Sequence, residues 1–198
     1  YGPIKILPAD NLPVEVAIAC WPWGDYLATK EVDVKISDFI RIHPKSTVAD
    51  AKICGHYINS LLAGLAIKDS KYHETLLLDS DGYVAEATSA NIFIIKNNKL
   101  ITPPIGTILD GITRKTIIEI AKYSNIPVTE TLFKPETIIN ADEAFFCGTA
   151  VEVTAIRSLD DQLIGNGKAG PITQQIQTMF QQIVHGEHKD FQHTLTWV

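Results

Sequence analysis

The sequence predicts an α+β fold of mixed α/β character, in which antiparallel hairpins are combined with packed helices. Three observations point there. Short runs rich in strand formers (ETLLLD, YVAEATS, NIFIIK, KLITP) follow one another over residues 74–103, with DSDG and NN among the breaks, which is the pattern of hairpins. Three longer stretches carry apolar residues at helical spacing. No strand and helix pair recurs as a unit, which argues against a repeating parallel array.

In chain order, VEVAIACW (14–21) reads as a strand entering an aromatic turn, WPWGDYL (21–27), where Pro22 and Gly24 break the pattern and a domain boundary fits. VDVKISDFI (32–40) alternates as a strand, and HPKSTVADAK (43–52) is a loop that delivers Lys52 to a helix. Ile58, Leu61, Leu62, Leu65 and Ala66 give that helix one apolar face, expected to be buried. After the hairpins a second helix begins near Leu109. Asp110 and Thr113 offer it capping oxygens, and Ile117, Ile120 and Ala121 form its face. IPVTETLF (126–133) is a strand, PETIINA (135–141) a short helix, EAFFCG (143–148) a buried run, and VEVTAIRSLDDQLIG (151–165) two strands. GPITQQIQTMFQQIV (170–184) closes the pattern as a helix with Pro171 at its start.

At 198 residues and 45% hydrophobic content, the chain can bury the core of one ordinary domain or of a domain with an appendage. A formal charge of −6 and scattered basic residues leave no nucleic-acid footprint and suggest no affinity for a membrane surface. Cys20, Cys54 and Cys147 cannot all pair within one chain, and each sits among apolar neighbours where a thiol acts as a small hydrophobe. That favours a reducing compartment, and with no membrane-length apolar run or signal segment the expected setting is the cytoplasm. The chain opens YGPIKILPAD and its sole methionine is Met179, so further residues are expected upstream.

Several short patterns carry little. GNGKAG (165–170) has G-x-G-x-x-G spacing before a helix, but no further strand and acidic residue follow as a dinucleotide site requires, so a plain turn is expected. His185, His188 and His193 lie in a polar tail that reads as mobile or surface chain, and no metal site is expected there. Asp160 and Asp161 are expected as solvated turn residues.

Four other parts belong together. Glu86 sits in a mostly apolar run beside Val84 and Ala85, and an inward carboxylate there needs a cationic partner. Leu109–Thr113 supply a helix N-terminus that Gly111 opens to close approach, a setting for a phosphate. Gly148, Thr149 and Ala150 make a second cluster of small residues with a hydroxyl, and Lys52 is an amine just before a helix. Pyridoxal phosphate uses all four: a lysine for the Schiff base, an acid for the ring nitrogen, and donors for the phosphate.

With these residues in place, the chain resembles the class IV aminotransferases, of fold type IV among pyridoxal phosphate enzymes, and is most similar to the branched-chain amino acid group. The signature runs from Glu86 through Asn91, Ile92, Phe93, Leu100, Thr102, Leu109, Gly111 and Ile112 to Arg114. WPWGDYL, AKICGHY and CGTAVEVTAIRS extend the likeness over nearly the whole chain. The resemblance implies that Lys52 bonds the cofactor and shuttles the proton, that Tyr57 donates to its phenolic oxygen, and that Glu86 pairs with the ring nitrogen. It further implies that Leu109 packs on the ring face, that Gly111, Ile112, Thr113 and Thr149 frame the phosphate, and that Thr149 and Ala150 face the substrate carboxylate. Trp23 and Tyr26 would help enclose an apolar substrate side chain, with Tyr57 beside them. Cys54 and Ala90 depart from the family pattern without removing a catalytic group.

The reaction so implied is reversible amino transfer between leucine, isoleucine or valine and 2-oxoglutarate, giving the 2-oxo acids and glutamate, in a homodimer or larger homo-oligomer. By the same resemblance residues 1–19 would end a smaller N-terminal domain, 20–27 form the interdomain turn, and 28–198 form the large cofactor-binding domain. A chain without the rest of the small domain is expected to bind cofactor weakly and turn over slowly. The alternatives are a D-amino acid aminotransferase or aminodeoxychorismate lyase of the same fold, or a noncatalytic interaction domain.

Overall fold

The structure is a computed structural model, and it describes residues 7, 11–22, 24 and 29–197. Trp23, Tyr26 and half of the expected interdomain turn lie outside the described residues. Among those described, nine strands form one mixed sheet: β1 (Glu31–Ile36), β2 (Glu74–Leu78), β3 (Val84–Ala87), β4 (Asn91–Lys96), β5 (Lys99–Thr102), β6 (Val128–Glu130), β7 (Glu143–Gly148), β8 (Glu152–Leu159) and β9 (Gln162–Leu163). The helices are α1 (Ile58–Ile67), α2 (Ile112–Tyr123), α3 (Pro135–Ile139) and α4 (Pro171–Val184).

The strand order is β3-β2-β1-β8-β7-β4-β5-β6, with β9 against β8. The expected hairpins β2–β3, β4–β5 and β8–β9 form, and β7 runs antiparallel to both β4 and β8. Parallel pairs arise where a longer crossover intervenes: β1 with β2 across α1, β5 with β6 across α2, and β1 with β8. β3 and β4 stand far apart in this order, yet only residues 88–90 join them, closed by the Ala87 N–H donating to Ala90 O at 2.8 Å. So short a link requires the sheet to curl until its β3 end meets β4.

Burial on both faces explains why NIFIIK and EAFFCG lack a polar side. Ile92, Ile94 and Phe146 face one core with Val32, Leu76, Val84, Phe133 and Ile138. Phe93, Ile95, Phe145 and Cys147 face a second core with Ile117 and Ile120 of α2, Ile176 and Phe180 of α4, and Phe191.

Several expectations are corrected. The face of α1 that periodicity marks as buried points to solvent, with Ile58, Leu61 and Leu65 at 53%, 57% and 55% exposure, while Ser60 and Ala63 are the buried residues. VEVAIACW forms no strand: Val14, Val16 and Ile18 are 85–90% exposed, and among the described residues no neighbouring strand answers their backbone groups. β1 and β6 are shorter than expected, ending where their ladders end. Cys20 and Cys54 are exposed, so only Cys147 behaves as a core thiol.

The histidine tail is docked. Residues Lys189–Thr194 form a 3-10 turn, Phe191 is buried against α2 and α4, and Tyr123 of α2 meets His188 and Phe191 edge-on. His193 Nε2 lies 2.8 Å from Glu119. GNGKAG is a plain turn whose following helix N-terminus is filled from within. Glu143 accepts from the Ile172 and Thr173 amides at 3.1 and 2.7 Å, and a Cβ on Gly170 would stand 2.2 Å from the Glu143 carboxyl carbon. Asp160 and Asp161 occupy the β8–β9 turn with positive φ, paired to Lys35 and Lys71. Among the described residues no helix is long and apolar enough to cross a membrane, and no three His, Cys, Asp or Glu side chains gather as a metal site.

Candidate active site

Lys52, Tyr57, Glu86, Leu109, Gly111, Ile112, Thr113, Thr149 and Ala150 all line a single cavity of about 530 Å³, within the range of small-molecule sites. They come from four segments that the curled sheet brings together: the β1–α1 connection, β3, the approach to α2, and the β7–β8 turn. Gly148 lets the 88–90 link pass close to that turn: a Cβ there would make tight contacts with Ser89 O and Val151 Cγ2, each at 3.3 Å.

Lys52 stands on an exposed loop, and its Nζ donates to the Tyr57 hydroxyl at 2.7 Å. A 3-10 turn over Cys54–Tyr57 brings the two side chains to one side. His56 staples this loop: Nδ1 donates to the Ala51 carbonyl at 3.0 Å, and Nε2 meets Thr47 Oγ1 at 2.6 Å.

Glu86 is buried on β3, opposite Leu77. Its Oε1 accepts from Arg41 Nε at 2.5 Å, and its Oε2 accepts from Asn91 Nδ2 and the Leu109 amide, each at 2.9 Å. Burial pushes this carboxyl up, and Arg41, the Leu109 amide and Lys52 oppose that rise. The sequence pattern calls for a cation here without singling out Arg41, a lone charge in the apolar run FIRI. Asn91 also donates to Leu109 O at 3.0 Å, which pins the chain just before α2. Deep in the cavity, burial holds the Cys147 thiol well above its ordinary range, so it is not a thiolate there.

α2 begins later than expected, at Ile112, and neither Asp110 nor Thr113 caps it. Asp110 pairs with Lys115 at 2.6 Å instead. The first-turn amides of Ile112 and Thr113 have no intrahelical acceptor and no capping side chain, and both residues line the cavity. Gly111 has an ordinary φ of −66°; what excludes a side chain is space, since a Cβ would lie 2.2 Å from Asn91 Oδ1. Arg114, fully buried, fastens the helix start by donating to Pro103 O at 2.9 Å and to Glu130 at 2.5 Å.

A lysine with a hydroxyl partner, a buried carboxylate and an uncapped helix N-terminus thus surround one cavity. The chain belongs to the family described as amino-transferase class IV, whose model matches residues 5–159. It is 40% identical to the branched-chain-amino-acid aminotransferase of Pseudomonas aeruginosa over 91% of this chain and 60% of that protein. The crystal structure of the branched-chain aminotransferase of Thermoproteus uzoniensis with norvaline superposes with a TM-score of 0.85 at 37% identity, covering 90% of this chain and 59% of that one. The branched-chain amino acid aminotransferase of T.th., complexed with N-(5'-phosphopyridoxyl)-L-glutamate, gives 0.82 at 32% identity, over 84% and 56%. The fold is thus that of the fold type IV enzymes, and the chain spans about three fifths of the length of these relatives.

Proposed function

We propose that this chain carries the cofactor site of a pyridoxal-phosphate-dependent aminotransferase acting on branched-chain L-amino acids and 2-oxoglutarate. The carrying observation is that Lys52 with Tyr57, the inward Glu86 carboxylate and the uncapped start of α2 face one cavity. These residues fit the cofactor chemically. The Ile112 and Thr113 amides and the Thr149 hydroxyl suit a phosphate, Glu86 keeps lone-pair capacity on Oε1 for a ring N–H, and Leu109 offers an apolar side. The bound cofactor supplies the electron sink that makes the substrate's α-proton removable. Lys52 Nζ is the base that takes that proton and returns it, and the Tyr57 hydroxyl orients the amine. Glu86, held by three donors, would be the carboxylate partner of the ring nitrogen and favour its protonated form.

Apolar and acidic substrates would use the same site in turn, with Thr149 and Ala150 facing the carboxylate and Trp23, Tyr26 and Tyr57 beside the side chain. The norvaline and phosphopyridoxyl-glutamate complexes of the two solved relatives support that pairing. The same reading assigns residues 28–198 to the large domain, a homo-oligomer as the working form, and the cytoplasm as its place.

Borohydride reduction of the chain mixed with pyridoxal phosphate, followed by peptide mass analysis, tests the site. The phosphopyridoxyl mass is expected on Lys52 and is lost in Lys52→Ala; label spread over surface lysines would reject the assignment. Amino transfer to 2-oxoglutarate from L-leucine tests the substrate class, and activity on D-alanine without activity on L-leucine would overturn it.

A further inference from the structure

We propose that Arg41 is a positioning residue that couples the two halves of this site, one guanidinium holding both the Glu86 carboxylate and the segment that presents Lys52. The inference rests on the reading above, in which Glu86 and Lys52 address the same cofactor. Arg41 Nε donates to Glu86 Oε1 at 2.5 Å, and its Nη2 donates to the Ala49 carbonyl at 3.0 Å, three residues before Lys52. Its backbone is tied down as well, the Arg41 N–H donating to Leu78 O at 2.8 Å, next to the residue that pairs with Glu86 across the β2–β3 ladder. The side chain is buried, so both bonds lie in a setting where a lost partner is not replaced by bulk water.

The planar fork of the guanidinium makes the double duty possible. Its donors point in fixed, divergent directions, so the distance between carboxylate and loop is set by covalent geometry. A lysine ammonium supplies the charge on a flexible stem and cannot hold both acceptors in that arrangement. The charged and titratable groups around Glu86 give Arg41 its electrostatic weight. Lys52 is the other cation acting on the carboxylate, Cys147 is neutral, Asp50 and Asp110 line the cavity with negative charge, and Tyr57 and His56 complete that wall. Lys52 sits on the loop and is the residue the chemistry engages, which leaves Arg41 as the fixed counter-charge.

Two readouts on the cofactor-free chain separate the two bonds. Carbon-13 NMR of labelled glutamate side chains, with Glu86→Gln assigning the signal, follows the Glu86 carboxyl against pH. Hydrogen exchange follows the amides of residues 49–53. In Arg41→Met the Glu86 midpoint is expected to move up by about one to three pH units, the usual effect of removing an adjacent opposite charge. Exchange in the loop is expected to accelerate about tenfold or more, as for loss of a charge-assisted hydrogen bond. Arg41→Lys should bring the midpoint to within about one pH unit of the parent while the loop stays fast. An unmoved midpoint in Arg41→Met, unchanged loop exchange, or restoration of both by lysine would each overturn the coupling. If the methionine variant does not fold, the split result in Arg41→Lys decides alone. Neither readout requires pyridoxal phosphate or transfer activity, so failure of the proposed reaction and failure of this coupling remain distinct.

Discussion

Gly111→Ala is the most informative substitution at the start of α2, because its effect follows from one distance. A Cβ at this position would stand 2.2 Å from Asn91 Oδ1, a separation that no real contact tolerates, so the amide must swing away. Asn91 Nδ2 then loses its bonds to Glu86 Oε2 and Leu109 O, at 2.9 and 3.0 Å. A buried bond to a carboxylate contributes about 1.5–3 kcal/mol and one to a carbonyl about 0.5–1.5, so the expected loss is about 2–4.5 kcal/mol. For a chain of this size that lowers Tm by about 4–18 °C. The assay is thermal unfolding of Gly111→Ala, Asn91→Ala and the double variant. Removing Asn91 removes the clash, so Asn91→Ala/Gly111→Ala is expected to be no less stable than Asn91→Ala alone. A parent-like Tm for Gly111→Ala, or additive losses in the double variant, would refute the steric reasoning.

Glu143→Ala strips the carboxylate from the first turn of α4, where it accepts from the Ile172 and Thr173 amides, and should lower stability by about 1–3 kcal/mol in urea unfolding. Glu74 is buried, and burial raises its carboxyl above the ordinary value despite bonds from the Thr75 amide and the Thr88 hydroxyl. A carboxyl raised in the folded state binds its proton more tightly there. Its stabilising contribution is therefore full below the unfolded value near 4.5 and lost as pH rises through the folded value. Glu74→Gln keeps the amide and hydroxyl partners, so the parent should gain stability relative to this variant on acidification toward the unfolded value; a pH-independent gap in paired urea titrations would count against it. Leu61→Gln/Leu65→Gln alters side chains already 57% and 55% exposed, so subunit stability should change by no more than about 0.5 kcal/mol. If the outer face of α1 meets another copy, sedimentation will show a loss of oligomer, and unchanged sedimentation of an oligomeric parent would remove that face from consideration.

The strands and hairpins were legible because their signals are local. Residues 92–95 and 144–147 alternate between two cores, so these four-residue stretches are apolar throughout and suit a two-sided strand. The α1 face misleads for a related reason: period shows that a helix has an apolar side, without showing which body covers it. In this chain the polar Ser60 turns inward to the cavity and the leucines turn out. VEVAIACW fails in the same way, since alternation marks a possible strand but a ladder needs a partner. The polar composition of the tail predicts surface chain, whereas one residue, Phe191, decides its place by entering the core between α2 and α4. Arg41 was hidden because its partner lies 45 positions away and only the fold joins them.

The N-termini of α2 and α4 show what distinguishes an open helix start from a filled one. α4 follows a glycine pattern of the kind associated with nucleotide loops, and it has an ordinary proline start. Yet Glu143 fills its first turn, so an incoming phosphate would meet a carboxylate where it needs amides. α2 follows a single glycine and has weaker credentials on paper, with two plausible capping side chains that would close it. Both decline: Asp110 turns to Lys115 and no side-chain cap forms, while Ile112 and Thr113 line the cavity. The same dipole and the same orphan donors exist at both ends. What separates them is occupancy by the chain's own acids, a long-range property that glycine spacing does not encode. Asn91 supplies the remaining condition at α2, because its amide takes the space beside Gly111 and bonds Leu109 O, which fixes the chain just before the helix.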